Sequence, residues 1–356
     1  MEKIRIAFIG MDHVHVQTLW REFVKYPDVY EIVGIADYPK HCPDMVEYKK
    51  RHNWPKQELV VWEDYKELLS KDIDVAVVTT NIKDHTNCAV EILGMDIHTV
   101  LEKPMAVNME DAKTMYEAYK NSKAELIINW PVAWFSSFRK VKELLDEGVV
   151  GDLLRVQYRT PSTRGPYSLK DHTEEELRNM WWYQSDKGGG SIFDYAGYGC
   201  TLSTWLTGKC AKSVMGLKKN FMQKFCDCED YSTFIVDFGD CVGFVEGSWS
   251  TCHSGDIPTG PIVYGTKGTI VADRYDSHVK VYLDNRQFPD VESPYMDIDT
   301  QPIEDNIASN VMDFLLNDKP LFEMVTADFN MKVMSCLDAA IRSTDSGKAE
   351  EGERYE

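Results

Sequence analysis

In Val100-Leu101-Glu102-Lys103-Pro104 a short apolar run delivers a carboxylate, an amine and a proline in succession. A lysine at the carboxyl end of a buried strand can take or return the proton of a substrate hydroxyl, provided burial or a neighbouring cation lowers its pKa. By themselves the same residues also describe a surface Glu-Lys pair ahead of a proline that ends a strand. A second reactive set follows Gly188-Gly189-Gly190: Asp194 and Tyr198, spaced i, i+4 and so on one face of a helix. Tyrosine, with an ordinary pKa near 10, is a poor base at neutral pH unless a nearby positive charge lowers it. Cys226-Asp227-Cys228 and Cys252-His253 carry metal-type ligands, but neither has the two-plus-two spacing of a structural zinc site, and no metal is assigned.

Position gives Lys103 its meaning. Ile4–Gly10 reads as a buried strand ending in glycine. A helix from about His13 to Tyr26 follows, with Val16, Leu19, Trp20 and Phe23 on one face, and then a second strand, Glu31–Ala36, ending in Asp37. This is a βαβ unit of roughly thirty residues, the size of a mononucleotide-binding half. Gly10-Met11-Asp12-His13-Val14-His15 keeps only the first glycine of the dinucleotide fingerprint, with Asp12 and His15 in the places of the others. Asp37 stands where a ribose 2′-hydroxyl would be held and a 2′-phosphate repelled. At ~4 Å and an effective dielectric near 20 that repulsion is about 4 kcal/mol. Lys40 is nearby and no arginine is, which favours NAD over NADP. A helix near Asp64–Lys71, the β-branched run Ile73–Thr79, a helix near His85–Gly94 and the strand Ile97–Leu101 continue the alternation. The prediction is an α/β chain whose residues 1–125 form a Rossmann domain with a doubly wound parallel sheet.

From about Asn129 the character changes. Strands are predicted over Leu153–Arg159, Lys212–Phe221, Ser232–Phe238, Val242–Ser250, Gly260–Tyr264, Thr269–Ala272 and Val279–Leu283, separated by turns. They imply a C-terminal α+β domain over 126–320 with a large, mostly antiparallel open sheet. A helix over Phe138–Glu147 precedes them, and Glu304–Leu316 and Val325–Arg342 follow. Both are expected to pack back on the Rossmann domain, the last, within 321–346, through Phe329, Val333 and Leu337, and 347–356 reads as a polar, acidic tail that frays. Pro161–Trp182 is loop-like and holds Arg164, Tyr167, Trp181 and Trp182. Rings beside hydrogen-bond donors suit a sugar, although the tryptophans equally suit an interior plug.

Bulk properties narrow the classes. A chain of 356 residues suggests two domains, and a net charge of −19 argues against binding a phosphate backbone. Apolar runs fall short of the ~18 residues of a membrane span, and the amino terminus begins a strand instead of a signal peptide. Nine cysteines without a framework read as reduced thiols in the cytoplasm.

Together these residues resemble the Gfo/Idh/MocA oxidoreductase family. Its Glu-Lys-Pro signature is Glu102-Lys103-Pro104. Its Thr-Pro-Asn-x-x-His turn is matched by Thr80 and His85, with Asn81 at the proline and Ile82 at the asparagine. Gly188-Gly189-Gly190 and Asp194 match its glycine and Asp-x-Gly-x-His elements, with Ala196 at the glycine and Tyr198 at the usual histidine. Trp134 stands where an arginine is common, and Tyr264-Gly265-Thr266-Lys267-Gly268 resembles its Gly-Thr-x-Gly turn. The resemblance implies reversible hydride transfer between NAD and a secondary hydroxyl of a sugar, glycoside or cyclitol, with Lys103, Asp194 and Tyr198 catalytic. It implies a cofactor held by Gly10, Met11, Asp12, His13, Asp37, Thr79, Thr80, Asn81, His85, Glu102 and Lys103, and a carbohydrate met by Arg164, Tyr167, Trp181 and Trp182. Two other activities occur in such a family, glycoside cleavage by transient oxidation and elimination, and non-catalytic sensing. It further implies a homo-oligomer formed through the open sheet.

Overall fold

From Ile6 onward every side chain of β1 (Ile4–Ile9) is buried. A strand apolar on both faces belongs in the middle of a parallel sheet, and β1 pairs in parallel with β2 (Tyr30–Ala36) and β4 (Val75–Val78). With β3 (Val61–Trp62), β5 (His98–Glu102) and β6 (Leu126–Asn129) they form a six-stranded parallel sheet in the order β3-β2-β1-β4-β5-β6. This is the doubly wound order, with its switch point between β1 and β4. The computed structural model describes residues 2–39, 60–162, 164–252, 258–274, 277–283 and 295–355, and Lys40 and His253 lie outside them.

Local signals start the crossover helices. α1 (Val16–Phe23) buries Val16, Leu19, Trp20 and Phe23 as the periodicity requires, placing the Trp20 and Phe23 rings 5.2 and 6.1 Å from that of Phe8. Asp64, Asn81 and Asn108 cap α2 (Tyr65–Leu69), α3 (Ile82–Leu93) and α4 (Met109–Asn121), each side chain accepting a first-turn N–H. The Asn81 cap starts α3 three residues before the predicted His85. β6 pairs with β5 from Thr99–Leu126 to Glu102–Asn129. The first compact unit therefore runs through Trp130, past the boundary expected at 125, and also takes in Asp186–Gly188 and Asp305–Asn330.

The second unit comprises Pro131–Ser185, Gly189–Glu304 and Met331–Glu356. Its helices begin with α5 (Ser136–Asp146), α6 (Glu174–Arg178) and α7 (Gly197–Thr207). Its strands are β7 (Leu153–Pro161), β8 (Ser213–Lys219), β9 (Tyr231–Asp237), β10 (Val242–Ser248), β11 (Ile262–Gly265), β12 (Gly268–Ala272), β13 (His278–Leu283), β14 (Tyr295–Asp299) and β15 (Glu350–Glu351). They lie in the order β14-β13-β12-β11-β7-β10-β9-β8-β15, antiparallel except for β7 against β10. α7 is buried from Gly197 to Leu206 and covers β7 and β10, where a Cβ on Gly199 would stand 2.4 Å from Val245. On the opposite face successive register partners Met215, Ile235, Phe244, Gln157, Ile262, Val271 and Lys280 form one row across seven strands. Met215 and Ile235 in that row are about half exposed.

The C-terminal elements depart from expectation only in part. α8 (Ile307–Asn317) groups with the first unit, but α9 (Ala327–Ser346) does so only through Asn330. Phe329 thus stays with the first unit while Val333 and Leu337 pack in the second. The polar tail expected to fray is tied down instead. β15 pairs with β8 at the sheet edge, Gly352 N–H donates to Lys212 O at 3.1 Å, and Ser335 Oγ donates to Glu353 O at 2.7 Å. Backbone pairing at an open edge is indifferent to side-chain polarity, so composition misleads there.

Candidate functional site

Loops leave the carboxyl ends of β1, β2, β4 and β5 close together in the first unit, and eleven of the predicted residues lie there. Gly10 turns the chain at φ +85°, and a Cβ on it would stand 2.5 Å from Thr80 Cγ2 and 2.7 Å from Thr80 N, so only glycine fits. The loop is then stitched to its neighbours. Thr79 Oγ1 donates to Gly10 O at 2.6 Å, His13 N–H to Thr79 O at 3.0 Å, and Met11 N–H to Asp37 Oδ1 at 3.3 Å. Asp12 Oδ2 accepts both the backbone and side-chain N–H groups of Asn81, at 3.1 and 3.0 Å. Burial nevertheless raises the Asp12 carboxyl.

His85, fully buried on α3, lies 3.1 Å through Nδ1 from Pro104 O, a contact that fixes Nδ1 as the protonated nitrogen. Burial lowers this imidazole to about 4, so the ring is neutral at pH 7. Its Nε2 and the hydroxyl of Thr80 are buried without a hydrogen-bond partner among the described residues. Two orphaned polar atoms beside a glycine with no room for a side chain are what a site for a close-lying polar ligand requires.

Glu102 ends β5 and Lys103 directly follows it, and the two are 0% and 1% exposed. Asn129 Nδ2, at the end of β6, donates to Glu102 Oε1 at 2.7 Å. Glu102 Oε2 lies 3.1 Å from His15 Nδ1 and 3.9 Å from His13 Nδ1, and it accepts Lys103 N–H at 3.2 Å. Burial by itself would raise the Glu102 carboxyl, but His15, His13 and Lys103 overcome it and hold the group down at about 2. Burial also pushes His13 well below the ordinary imidazole range. The carboxylate is therefore ionised inside the protein, with Lys103 as one of the charges that balance it.

The remaining predicted residues belong to the second unit. Asp194 and Tyr198 do not share a regular helical turn. Ile192–Ala196 is one turn of π-helix leading into α7, so a wider turn separates the two side chains, which are 8% and 4% exposed. Trp249 Nε1 donates to Asp194 Oδ2 at 2.9 Å. Glu229 accepts Ile192 N–H at 2.8 Å and is raised by burial to about 7, and its carboxylate lies where a Cβ of Gly190 (φ +107°) would go. Trp181 and Trp182 are buried and stacked at 3.9 Å, as an interior plug requires, while Arg164 is exposed and donates to Gly165 O and Pro166 O. Tyr167 is half-buried, packed edge-on to His172, and accepts Tyr183 OH on its carbonyl at 2.6 Å.

Three groups that hold these residues escaped sequence reasoning. His15 carried a signal, since it follows His13 by two residues in the first loop. Asn129 carried a weaker one, as the residue where the chain changes character, with no strand predicted to end on it. Trp249 carried none, because only the register of β10 brings it to Asp194.

Two family models match the chain, together over more than half of it. One, described as an oxidoreductase family with an NAD-binding Rossmann fold, matches residues 4–130. The other, described as the GFO/IDH/MocA C-terminal domain, matches residues 138–271. Among curated proteins, an inositol 2-dehydrogenase of Salmonella paratyphi B is 27% identical over 189 residues, half of this chain and 52% of that protein. A glycosyl hydrolase family 109 protein of Shewanella baltica is 25% identical over 207 residues, 56% of this chain and 43% of that protein. The chain thus spans about half the length of the curated relatives it matches. A solved structure of levoglucosan dehydrogenase with NADH and levoglucosan superposes with a TM-score of 0.78 over 99% of this chain and all of that one, at 16% identity, which establishes a shared fold.

Proposed function

We propose, for a chain that belongs to the Gfo/Idh/MocA oxidoreductase family, that it transfers hydride reversibly between NAD and a secondary hydroxyl of a sugar, glycoside or cyclitol. The observation that carries this reading is Lys103. Its side chain is buried beside an ionised carboxylate at the carboxyl end of β5, where doubly wound sheets place their ligands. A nicotinamide dinucleotide, when bound, supplies the hydride acceptor. The chain's own residues do the rest. The Gly10–His13 loop, Thr79, Thr80, Asn81, His85 and Glu102 hold the cofactor, and Asp37 selects NAD by repelling a 2′-phosphate. Lys103 Nζ steadies the alkoxide as a cation or, where the positive charge of a bound nicotinamide lowers its pKa, accepts the hydroxyl proton. Asp194, oriented by Trp249, and Tyr198 complete the acid–base set, and Arg164 and Tyr167 shape the carbohydrate side, with the buried Trp181–Trp182 pair behind them.

Lys103→Met tests the central role. Nicotinamide fluorescence should report NADH binding near wild-type affinity, while turnover of a substrate found in a panel of sugars, inositols and glycosides falls more than tenfold. A variant that keeps over a tenth of the wild-type rate removes Lys103 from the chemistry. A second reading, glycoside cleavage through transient oxidation and elimination, is favoured by the family 109 relative. Aglycone released without net NADH indicates it, and an accumulating ketosugar indicates the first. The largely apolar row on the opposite face of the nine-stranded sheet, with Met215 and Ile235 about half exposed, supports association with a second copy of the chain through that face.

A further inference from the structure

Hydride transfer makes no use of the His15 ring, yet that ring helps to build a distinct arrangement. One ligating atom from each of His13, His15 and Glu102 lies within 4.8 Å of the other two. We propose that these three residues bind one borderline divalent transition-metal ion, of the Zn²⁺ class, at the head of the first loop.

Zinc sits about 2.0–2.2 Å from imidazole nitrogen and carboxylate oxygen, so tetrahedral ligand atoms lie roughly 3.3–3.6 Å apart. Glu102 Oε2 is already 3.1 Å from His15 Nδ1 and 3.9 Å from His13 Nδ1. Closing the set needs a shift of about 1 Å, and His15 can supply it, because its side chain is 29% exposed whereas His13 and Glu102 are almost wholly buried. The outer shell is in place as well. Asn129 Nδ2 holds Glu102 Oε1 at 2.7 Å and leaves Oε2 turned toward the two imidazoles, the kind of support that metal-bound carboxylates carry. Two imidazoles and one carboxylate exclude Ca²⁺ and Mg²⁺, which need oxygen-rich shells, and suit Zn²⁺ or its first-row neighbours. Three protein ligands leave one coordination position for solvent or an anionic oxygen. His13 Nδ1 accepts the His15 backbone N–H at 3.2 Å and would exchange that bond for the metal.

The site is tested on the purified, tag-free protein with Zn²⁺ alone, so its outcome does not depend on the hydride-transfer reading. Equilibrium dialysis with elemental analysis should find one Zn²⁺ per chain at micromolar free metal, and Co²⁺ should give a visible spectrum of nitrogen and oxygen ligation. His15→Ala should weaken binding at least tenfold, and Glu102→Gln likewise. Because Glu102 is buried and its variant can unfold, His15→Ala on the partly exposed ring decides the matter, with circular dichroism verifying the fold. A Cys226→Ser/Cys228→Ser double variant should bind as wild type. Substoichiometric zinc, binding indifferent to His15→Ala, binding lost in the cysteine variant, or a thiolate charge-transfer band with Co²⁺ each overturns the proposal.

Discussion

His85 should make the fold acid-sensitive in a defined window. Unfolded, its imidazole titrates near 6.5; folded, burial holds it at about 4. As pH falls below 6.5 the unfolded chain takes up a proton that the folded chain refuses, so stability present at pH 7 is progressively lost down to about pH 4. The full shift of about 2.5 pKa units corresponds to about 3 kcal/mol, of which about 2 kcal/mol is gone by pH 5. His13, lowered by burial, adds to the loss, while Glu22 and Glu229, each raised by burial to about 7, gain stability over the same range. The total slope is therefore not diagnostic, but the difference between wild type and His85→Gln is, because the other groups cancel. Glutamine keeps a donor for Pro104 O and does not titrate. Urea unfolding at pH 7 and pH 5 should show wild type losing about 2 kcal/mol more than the variant over that interval. Equal pH dependence of the two proteins would refute a neutral, buried His85. The contribution of Glu102, held at about 2, disappears only as pH falls from about 4.5, below this window.

Three further outcomes follow from the same geometry. Trp249→Phe removes the indole N–H from the buried Asp194 carboxylate and should lower unfolding free energy by about 2–3 kcal/mol, with turnover falling further than NADH affinity; unchanged stability would show the bond to be unimportant. Asp37→Ala should raise the ratio of kcat/KM with NADP to that with NAD at least tenfold, well within the ~4 kcal/mol such a repulsion can supply, and a constant ratio removes Asp37 from cofactor choice. Ile235→Asp puts a charge in the middle of the exposed row on the nine-stranded sheet, so light scattering should find the variant monomeric and the wild type larger; a monomeric wild type sinks association through this face.

Much of the candidate site was readable because its residues lie at strand ends, and strand ends follow from runs of buried side chains. Lys103, Asp37 and Thr79 each come directly after such a run, and Gly10 closes the first strand. The i, i+4 relation of Asp194 and Tyr198 was not readable, because an extra residue in a π-turn leaves no mark in hydrophobic periodicity. The aromatic pair was ambiguous in kind. Trp181 and Trp182 suit a sugar face or an interior, and only their burial against one another chose the interior.

From the sequence alone came the alternation of strand and helix, the parallel sheet it demands, a glycine closing the first strand and the placing of an amine just after the strand Ile97–Leu101. These depend on neighbours within a few residues, where periodicity and turn chemistry act. Tertiary structure decided what surrounds each group. Glu102 meets His15 across 87 residues of chain and Asn129 across 27, Asp194 meets Trp249 across 55, and Glu350–Glu351 closes a sheet edge that polarity would have left in water. Such contacts are set by strand register and by which unit a helix joins, and both are fixed by the packing of the whole chain and not by any one segment.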